Sequence, residues 1–181
     1  MSRYETFGPY DLERDGHRLA SGALRRFWKL RREDSRPGLS DAVGVYVFSI
    51  WSEASQELTP WYVGRTDRQS FQMRFRQQDL HFRQVLERAK KGRLQIFLLA
   101  FMAPGGERFR RPTKTQISHN EWLESILIGS ALSRNRALVN ASKVAFLKTL
   151  VVPGYLNTPK GKLDKSAVAL QKMLELNSKT E

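Results

Sequence analysis

The sequence predicts an α+β fold: a small three-stranded antiparallel sheet flanked by helices, with extra helices towards both ends. Three observations carry this. Apolar periodicity switches between strand-like and helical in the order β-β-α-β-α. The first two strand segments are near neighbours in sequence, so antiparallel pairing is their simplest arrangement. The 181 residues, 40% of them hydrophobic, suffice for one domain with a buried core and appended arms.

Taken in order, residues 1–18 (MSRYETFGPYDLERDGHR) show no period and read as an arm. Leu19 to Arg32 reads as a helix, with Leu24, Phe27, Trp28 and Leu30 among Arg25, Arg26, Lys29, Arg31 and Arg32, and Pro37-Gly38 breaks the chain after it. Gly44–Trp51 (GVYVFSIW) is β-branched and aromatic, a buried strand. Ser52–Thr59 reads as a polar connection, and Trp61–Gly64 (WYVG) begins the second strand. From Ser70 the period turns helical, because Phe71, Phe75, Phe82, Val85, Leu86 and Ala89 form one apolar stripe. Gly92, after Lys90-Lys91, ends it.

Leu94–Met102 (LQIFLLAFM) is the third strand, and Pro104–Gln116 is a long loop. Ser118 and Glu121 match the S-x-x-E capping box, so a helix starts near His119, with Trp122, Leu123, Ile126, Leu127, Ala131 and Leu132 as its apolar positions. Val144–Val152 is apolar and of open type, Pro153-Gly154 is a turn, and Lys165–Leu176 is a last helix. The organisation expected is an N-terminal arm and basic helix over 1–42, a core over 43–141 and a C-terminal extension with a helix over 142–181.

Thirty-one Lys and Arg against 18 Asp and Glu leave a net charge of +13. Such a surplus attracts polyanions through phosphate neutralisation and counterion release, which puts nucleic acid first among partners and an anionic membrane surface second. The absence of cysteine excludes disulfides, thiol nucleophiles, Cys-ligated zinc and iron–sulfur clusters. His17, His81 and His119 are scattered, which argues against a histidine-only metal site. There is no G-x-G-x-x-G, P-loop or H-E-x-x-H, and no helix-turn-helix, zinc-finger or homeodomain pattern. The longest apolar run, Ile96–Ala103, is far short of the roughly 20 residues of a membrane span, and the polar start lacks the apolar stretch of a signal peptide. The expectation is a cytoplasmic protein, free or associated with the nucleoid, with no membrane contact.

Several residues recur in a known order. Gly44-Val45-Tyr46 and Tyr62-Val63-Gly64 stand on the first two strands, with Arg65 directly after the second. A helix carrying Phe71 and Arg74 follows, then a third strand, then a helix with Glu124 four residues ahead of Ile128, and finally Leu138-Val139-Asn140. Over residues 43–141 this resembles the GIY-YIG nuclease superfamily, with its paired tripeptides, its L-x-x-R and E-x-x-L-I helices and its terminal asparagine. The resemblance implies an endonuclease that hydrolyses phosphodiester bonds of double-stranded or branched DNA. It also implies one divalent ion per site, Mg2+ or Mn2+, held by Glu124. Relatives include repair, junction-cleaving, homing and restriction nucleases.

Phosphodiester hydrolysis needs a nucleophilic water, a charge sink for the pentavalent phosphate and help for the departing oxygen. Tyr46 and Tyr62 supply two phenols, one as general base and one as phosphate donor. A base role requires Arg65 or Arg74 to lower a phenol from its usual value near 10. Arg74, Gln78 and His81 share a helix face on the single-helix reading, and an arginine fork suits phosphate. Gln78 departs from the Tyr or His that many relatives carry there, so His81 would take over that role by reaching back one turn. Glu121 is explained by capping. Glu124 sits among Leu123, Leu127 and Ile128, where a carboxylate needs a cation, whether a metal ion or an arginine. Asn140 binds phosphate or orients Glu124, or is a simple turn former.

Arg65, Arg74, Arg76 and Gln78, with Arg108, Arg110, Arg111 and Lys114 of the long loop, form the expected nucleic-acid contacts, gripping backbone phosphates rather than reading bases. The 15-residue connection between Tyr46 and Tyr62 is longer than in relatives, and Ser52–Thr59 is expected to alter substrate access. The second reading is a catalytically inactive nucleic-acid binder that keeps the fold, and the third a basic structural protein of a ribonucleoprotein.

Overall fold

The computed structural model describes residues 2–34, 36–140, 144–145, 149, 151–153, 161 and 163–173. Residues 1–140 form one compact unit and 141–181 a second.

The first unit is built on an antiparallel sheet of four strands, not three: β1 (Tyr4–Leu12), β4 (Gly44–Ser52), β5 (Glu57–Thr66) and β6 (Arg93–Phe101), in the spatial order β1-β6-β4-β5. A small β2–β3 ladder (Arg14–Asp15 with Arg18–Leu19) follows β1. The added strand corrects the reading of residues 1–18 as an arm, since Tyr4 to Leu12 pair with Phe101 to Leu94. Gly8-Pro9 interrupts this ladder, and the strand is half-exposed, so it shows no clean alternation.

Helices α1 (Ala23–Asp34), α2 (Phe71–Arg76) and α3 (Asp79–Ala89) contribute to one aromatic core with the strands. Alternation along β4 aligns Tyr46, Phe48 and Ile50, and all three join that core. Phe48 stacks on Phe82 at 4.3 Å between centroids, while Tyr46 meets Phe75 edge-on at 5.0 Å. The single helix expected from Ser70 to Ala89 is two. The ladder breaks at Gln77-Gln78, yet Phe71 and Phe75 before the break and Phe82, Val85 and Leu86 after it are all buried. Ser70 caps α2 by accepting from Met73 N–H.

Helix α4 (Ser118–Arg134) packs chiefly against β5. The capping box is not formed: Ile117 precedes the helix without a side-chain cap, and Glu121 accepts from Gln116 Nε2 at 2.6 Å. Of the apolar positions expected on α4, Ala131 and Leu132 are buried and Trp122 and Ile126 face solvent. Buried Ile128 and Asn120 complete its inner face. The chain after α4 closes the free edge of β5: Asn135 Nδ2 donates to the Pro60 carbonyl and Val139 N–H to the Trp61 carbonyl, each at 2.8 Å.

Ser52–Thr59 is a tight turn with strand on both sides, because Ser52 pairs with Glu57. That turn lies nine residues from Thr66, about 30 Å along the strand, at the opposite end of β5.

In the second unit, α5 (Lys165–Met173) is capped by Asp164, whose Oδ1 accepts from Ala167 N–H at 2.7 Å. The ends of the expected helix (174–176), Gly154, and most of 141–152 lie outside the described residues. Among the described residues no helix is long and apolar enough to cross a membrane.

Candidate active site

Register brings the two phenols together. Tyr46 pairs with Gly64 and Phe48 with Tyr62, so Tyr46 and Tyr62 lie diagonally on one face with ring centroids 6.1 Å apart. Gly64 is the seat of the Tyr46 ring: a Cβ there would stand 2.5 Å from Tyr46 Cζ and Oη. The Y-V-G glycine is therefore required by a side chain on the neighbouring strand. Tyr46 is wholly enclosed (0% exposed), whereas Tyr62 (7%) borders an open cleft of about 510 Å3.

That cleft sits at the C-terminal end of β5. Tyr62, Arg65, Arg74 and Glu124 all line it, together with Asp67, Arg68 and Gln69 from the β5–α2 turn and Gln116. Arg65 holds three carboxylates at once: Nη1 meets Asp67 Oδ2 at 2.8 Å, Nε meets Glu124 Oε2 at 3.2 Å, and Nη2 meets Glu121 Oε1 at 3.6 Å. The arginine that satisfies Glu124 is thus identified, and Glu121 faces the same guanidinium instead of capping its helix. Asp67 is fixed from behind by Asn120, which donates to it at 2.7 Å and to the Thr66 carbonyl at 3.1 Å while accepting from the Tyr4 hydroxyl at 2.6 Å.

Arg74 and His81 are joined by Gln78, which is buried (1% exposed) in the break between α2 and α3. With its amide set to suit both neighbours, Oε1 accepts from Arg74 Nε at 2.9 Å and Nη2 at 3.2 Å, and Nε2 donates to His81 Nδ1 at 2.6 Å. An acceptor Nδ1 places the proton of neutral His81 on Nε2. The His81 ring lies 4.6 Å from that of Tyr62. Glutamine here orients the arginine and fixes a tautomer, two tasks that its donor and acceptor serve together.

Burial dominates the ionisation of the site. It pushes the Tyr46 phenol far above its ordinary 10, Tyr62 raises it further, and Arg74 opposes both without prevailing. Tyr62 is also raised, by burial first and by Glu124, against the lowering effect of Arg74. The expectation that an arginine would bring a phenol down is not met, because desolvation outweighs the guanidinium. Both phenols are neutral donors at pH 7. Tyr46 Oη approaches Arg74 and Tyr62 but makes no hydrogen bond of good geometry. His81 is lowered below 6.5, by burial and then by Arg74, so it too is neutral at pH 7.

The remaining expected residues lie apart from this centre. Asn140 Oδ1 accepts from Val63 N–H at 2.9 Å and its Nδ2 donates to the Val63 carbonyl, so the amide clamps the strand between Tyr62 and Gly64. Arg108, Arg110 and Arg111 border a different cleft, of about 750 Å3, beside Arg36 and Phe109. There Arg111 pairs with Asp41 at 2.7 Å and Arg110 lies over the Phe101 ring. Lys114 is exposed and lines neither cleft, and Arg76 is exposed on α2 away from Arg74. Asp67, Arg68, Gln69, Gln116, Asn120 and Tyr4 were not singled out from the sequence. The T-D-R-Q run directly after Y-V-G-R was the signal available for the first three.

Among the described residues no three acidic, imidazole or thiol groups converge into a complete metal shell. Glu124, which pairs with Arg65, is a cleft carboxylate of the donor type that magnesium takes, an ion commonly held by one or two carboxylates with several waters retained. No family model, curated protein or solved structure matches the chain.

Proposed function

We propose that this protein is a divalent-metal-dependent endonuclease that hydrolyses DNA phosphodiester bonds at a GIY-YIG-type site. One observation carries the reading: Tyr62 and Arg65 of β5, Arg74 of α2 and Glu124 of α4 line one open cleft with Tyr46 directly beneath. An ion held by Glu124 would neutralise phosphate charge and acidify a bound water.

The chain's own groups do the rest. The neutral Tyr62 hydroxyl donates to a non-bridging phosphate oxygen, and Arg74 presents its fork to the charge that builds on phosphorus. Tyr46 props Tyr62 from below. Attack by water forms one P–O bond as the bridging P–O bond opposite breaks; the water releases one proton, and the departing oxygen takes one up from solvent in the open cleft. The water's proton cannot pass to a phenol that is already protonated, nor to His81 Nδ1, which Gln78 occupies. The solvent that reaches the open cleft is the acceptor, because Glu124 is committed to the ion and to Arg65, and Asp67 to Arg65 and Asn120.

The test is nicking of supercoiled plasmid and a four-way junction in Mg2+ or Mn2+, comparing wild type with Glu124→Gln and Arg74→Ala. Cutting by wild type alone supports the reading, and equal cutting by all three overturns it. The Glu124–Arg65 pair and the sealed Tyr46 favour one competitor, a nucleic-acid binder without hydrolysis. It predicts metal-independent binding and no nicks.

A further inference from the structure

We infer that the groove between α1 and α2 is a second tract for the phosphodiester backbone, continuous with the cleft across α2. Helix α1 divides its cations into two sets. Arg26 is bound to Glu13, and Arg31 lies 4.2 Å over the Tyr10 ring, so both are engaged within the protein. Arg25, Lys29 and Arg32 are exposed and border a groove of about 530 Å3 floored by Leu24 and Trp28. Arg76 borders it from the α2 side, and Arg32 is tied across it to Gln72 at 3.2 Å. Among the residues whose side chains are described, no carboxylate lines the groove and none pairs with Arg25, Lys29 or Arg76.

Spacing names the ligand. Residues 25, 29 and 32 fall at steps of four and three, one stripe on a helix. They cover about 10 Å of its axis, against one phosphate of each strand per roughly 3.4 Å of duplex axis. Three cations therefore face about two to three phosphates of one strand. Arg76 stands two residues from Arg74, one at the groove and the other at the cleft, so a strand leaving the cleft over α2 enters the groove. The exposed cations over an apolar floor of Leu24 and Trp28 suit a polyanionic backbone rather than a particular base.

This rests on nucleic acid being the partner proposed above, and the experiment separates the two. Anisotropy of a labelled duplex, in EDTA so that no cutting occurs, is measured against salt for wild type, Arg25→Ala/Lys29→Ala/Arg76→Ala, Arg76→Gln alone, and a control (Arg18→Ala/Lys91→Ala/Arg134→Ala). Each phosphate that a variant no longer neutralises takes about one unit off the slope of log K against log salt. The expected result is a slope shallower by about three, with about tenfold or greater loss of affinity at 0.1 M salt for the triple variant. Arg76→Gln should lose about one unit and the control essentially none. Melting curves identify any variant that fails to fold, in which case Arg76→Gln decides.

Wild type that nicks DNA while the groove variants keep its slope overturns the inference and leaves the hydrolase reading standing. Wild type that never nicks while the groove variants lose slope does the reverse. Binding to phosphatidylserine vesicles with none to DNA overturns the groove assignment.

Discussion

Gly64→Ala tests the relation between the two strands most directly. The added Cβ would stand 2.5 Å from Cζ and Oη of Tyr46 and 2.8 Å from Cε2, all well inside contact distance. The ring has little room to retreat, because Phe75, Phe48 and Tyr62 surround it at 5.0, 5.2 and 6.1 Å between centroids. Overpacking of this kind costs up to about 3 kcal/mol. Replacing glycine inside a strand returns about 0.5–1 kcal/mol. The expected net loss is about 2 kcal/mol, or about 6–10 °C in the melting temperature of a unit this size. Thermal and urea unfolding measure it. In the cycle with Tyr46→Leu, the double variant should lose about 1–2 kcal/mol less than the sum of the singles. A Gly64→Ala protein melting within about 1 °C of wild type, or an additive cycle, would refute the argument.

Tyr46→Phe removes a buried hydroxyl that makes no hydrogen bond of good geometry, so it should leave stability within about 1 kcal/mol of wild type while nicking falls if Tyr46 supports the site, read by melting and plasmid assays together. Asn140→Ala abandons both backbone groups of Val63 and should cost about 2–4 kcal/mol in urea unfolding.

His81 is lowered from 6.5 in the fold, so as pH falls through 6.5 the unfolded chain binds its proton first and stability drops. The difference in unfolding free energy between wild type and His81→Gln should therefore shrink from pH 7.5 to 5.5. A gap constant across that range counts against the histidine's buried, neutral state. Tyr4 is raised to about 12, and Tyr46 and Tyr62 are raised as well. Absorbance at 295 nm should show these phenols ionising late and together with alkaline unfolding, because stability falls once pH exceeds the unfolded value near 10. Arg74→Ala should delay Tyr62 further in the native protein.

What was legible in the sequence is what periodicity encodes. Gly44–Trp51 and Leu94–Met102 announce themselves because both faces of their strands are largely covered. The stretch YETFGPYDL hides its strand because it is an edge, half-exposed and interrupted at Gly8-Pro9. The break at Gln77-Gln78 is hidden because both short helices feed one aromatic core, which keeps the stripe in phase across it. Tyr62, Arg65, Arg74 and Glu124 were readable as a set through the order of their motifs. Asn120 and Asp67 were not, since their roles rest on partners more than 50 residues away in the chain. The direction of the phenol shifts also escaped, because burial of Tyr46 is a property of the assembled core rather than of its neighbours in sequence.

The Tyr4–Asn120–Asp67–Arg65 connection gives the first strand a reach beyond its ladder. Trimming the opening twelve residues would bare the flank of β6 and invite copies of the chain to stick edge to edge. It would also cut a strut running to the guanidinium that restrains Glu124. A shortened protein that begins after Leu12 would therefore be both prone to aggregate and slack at Glu124.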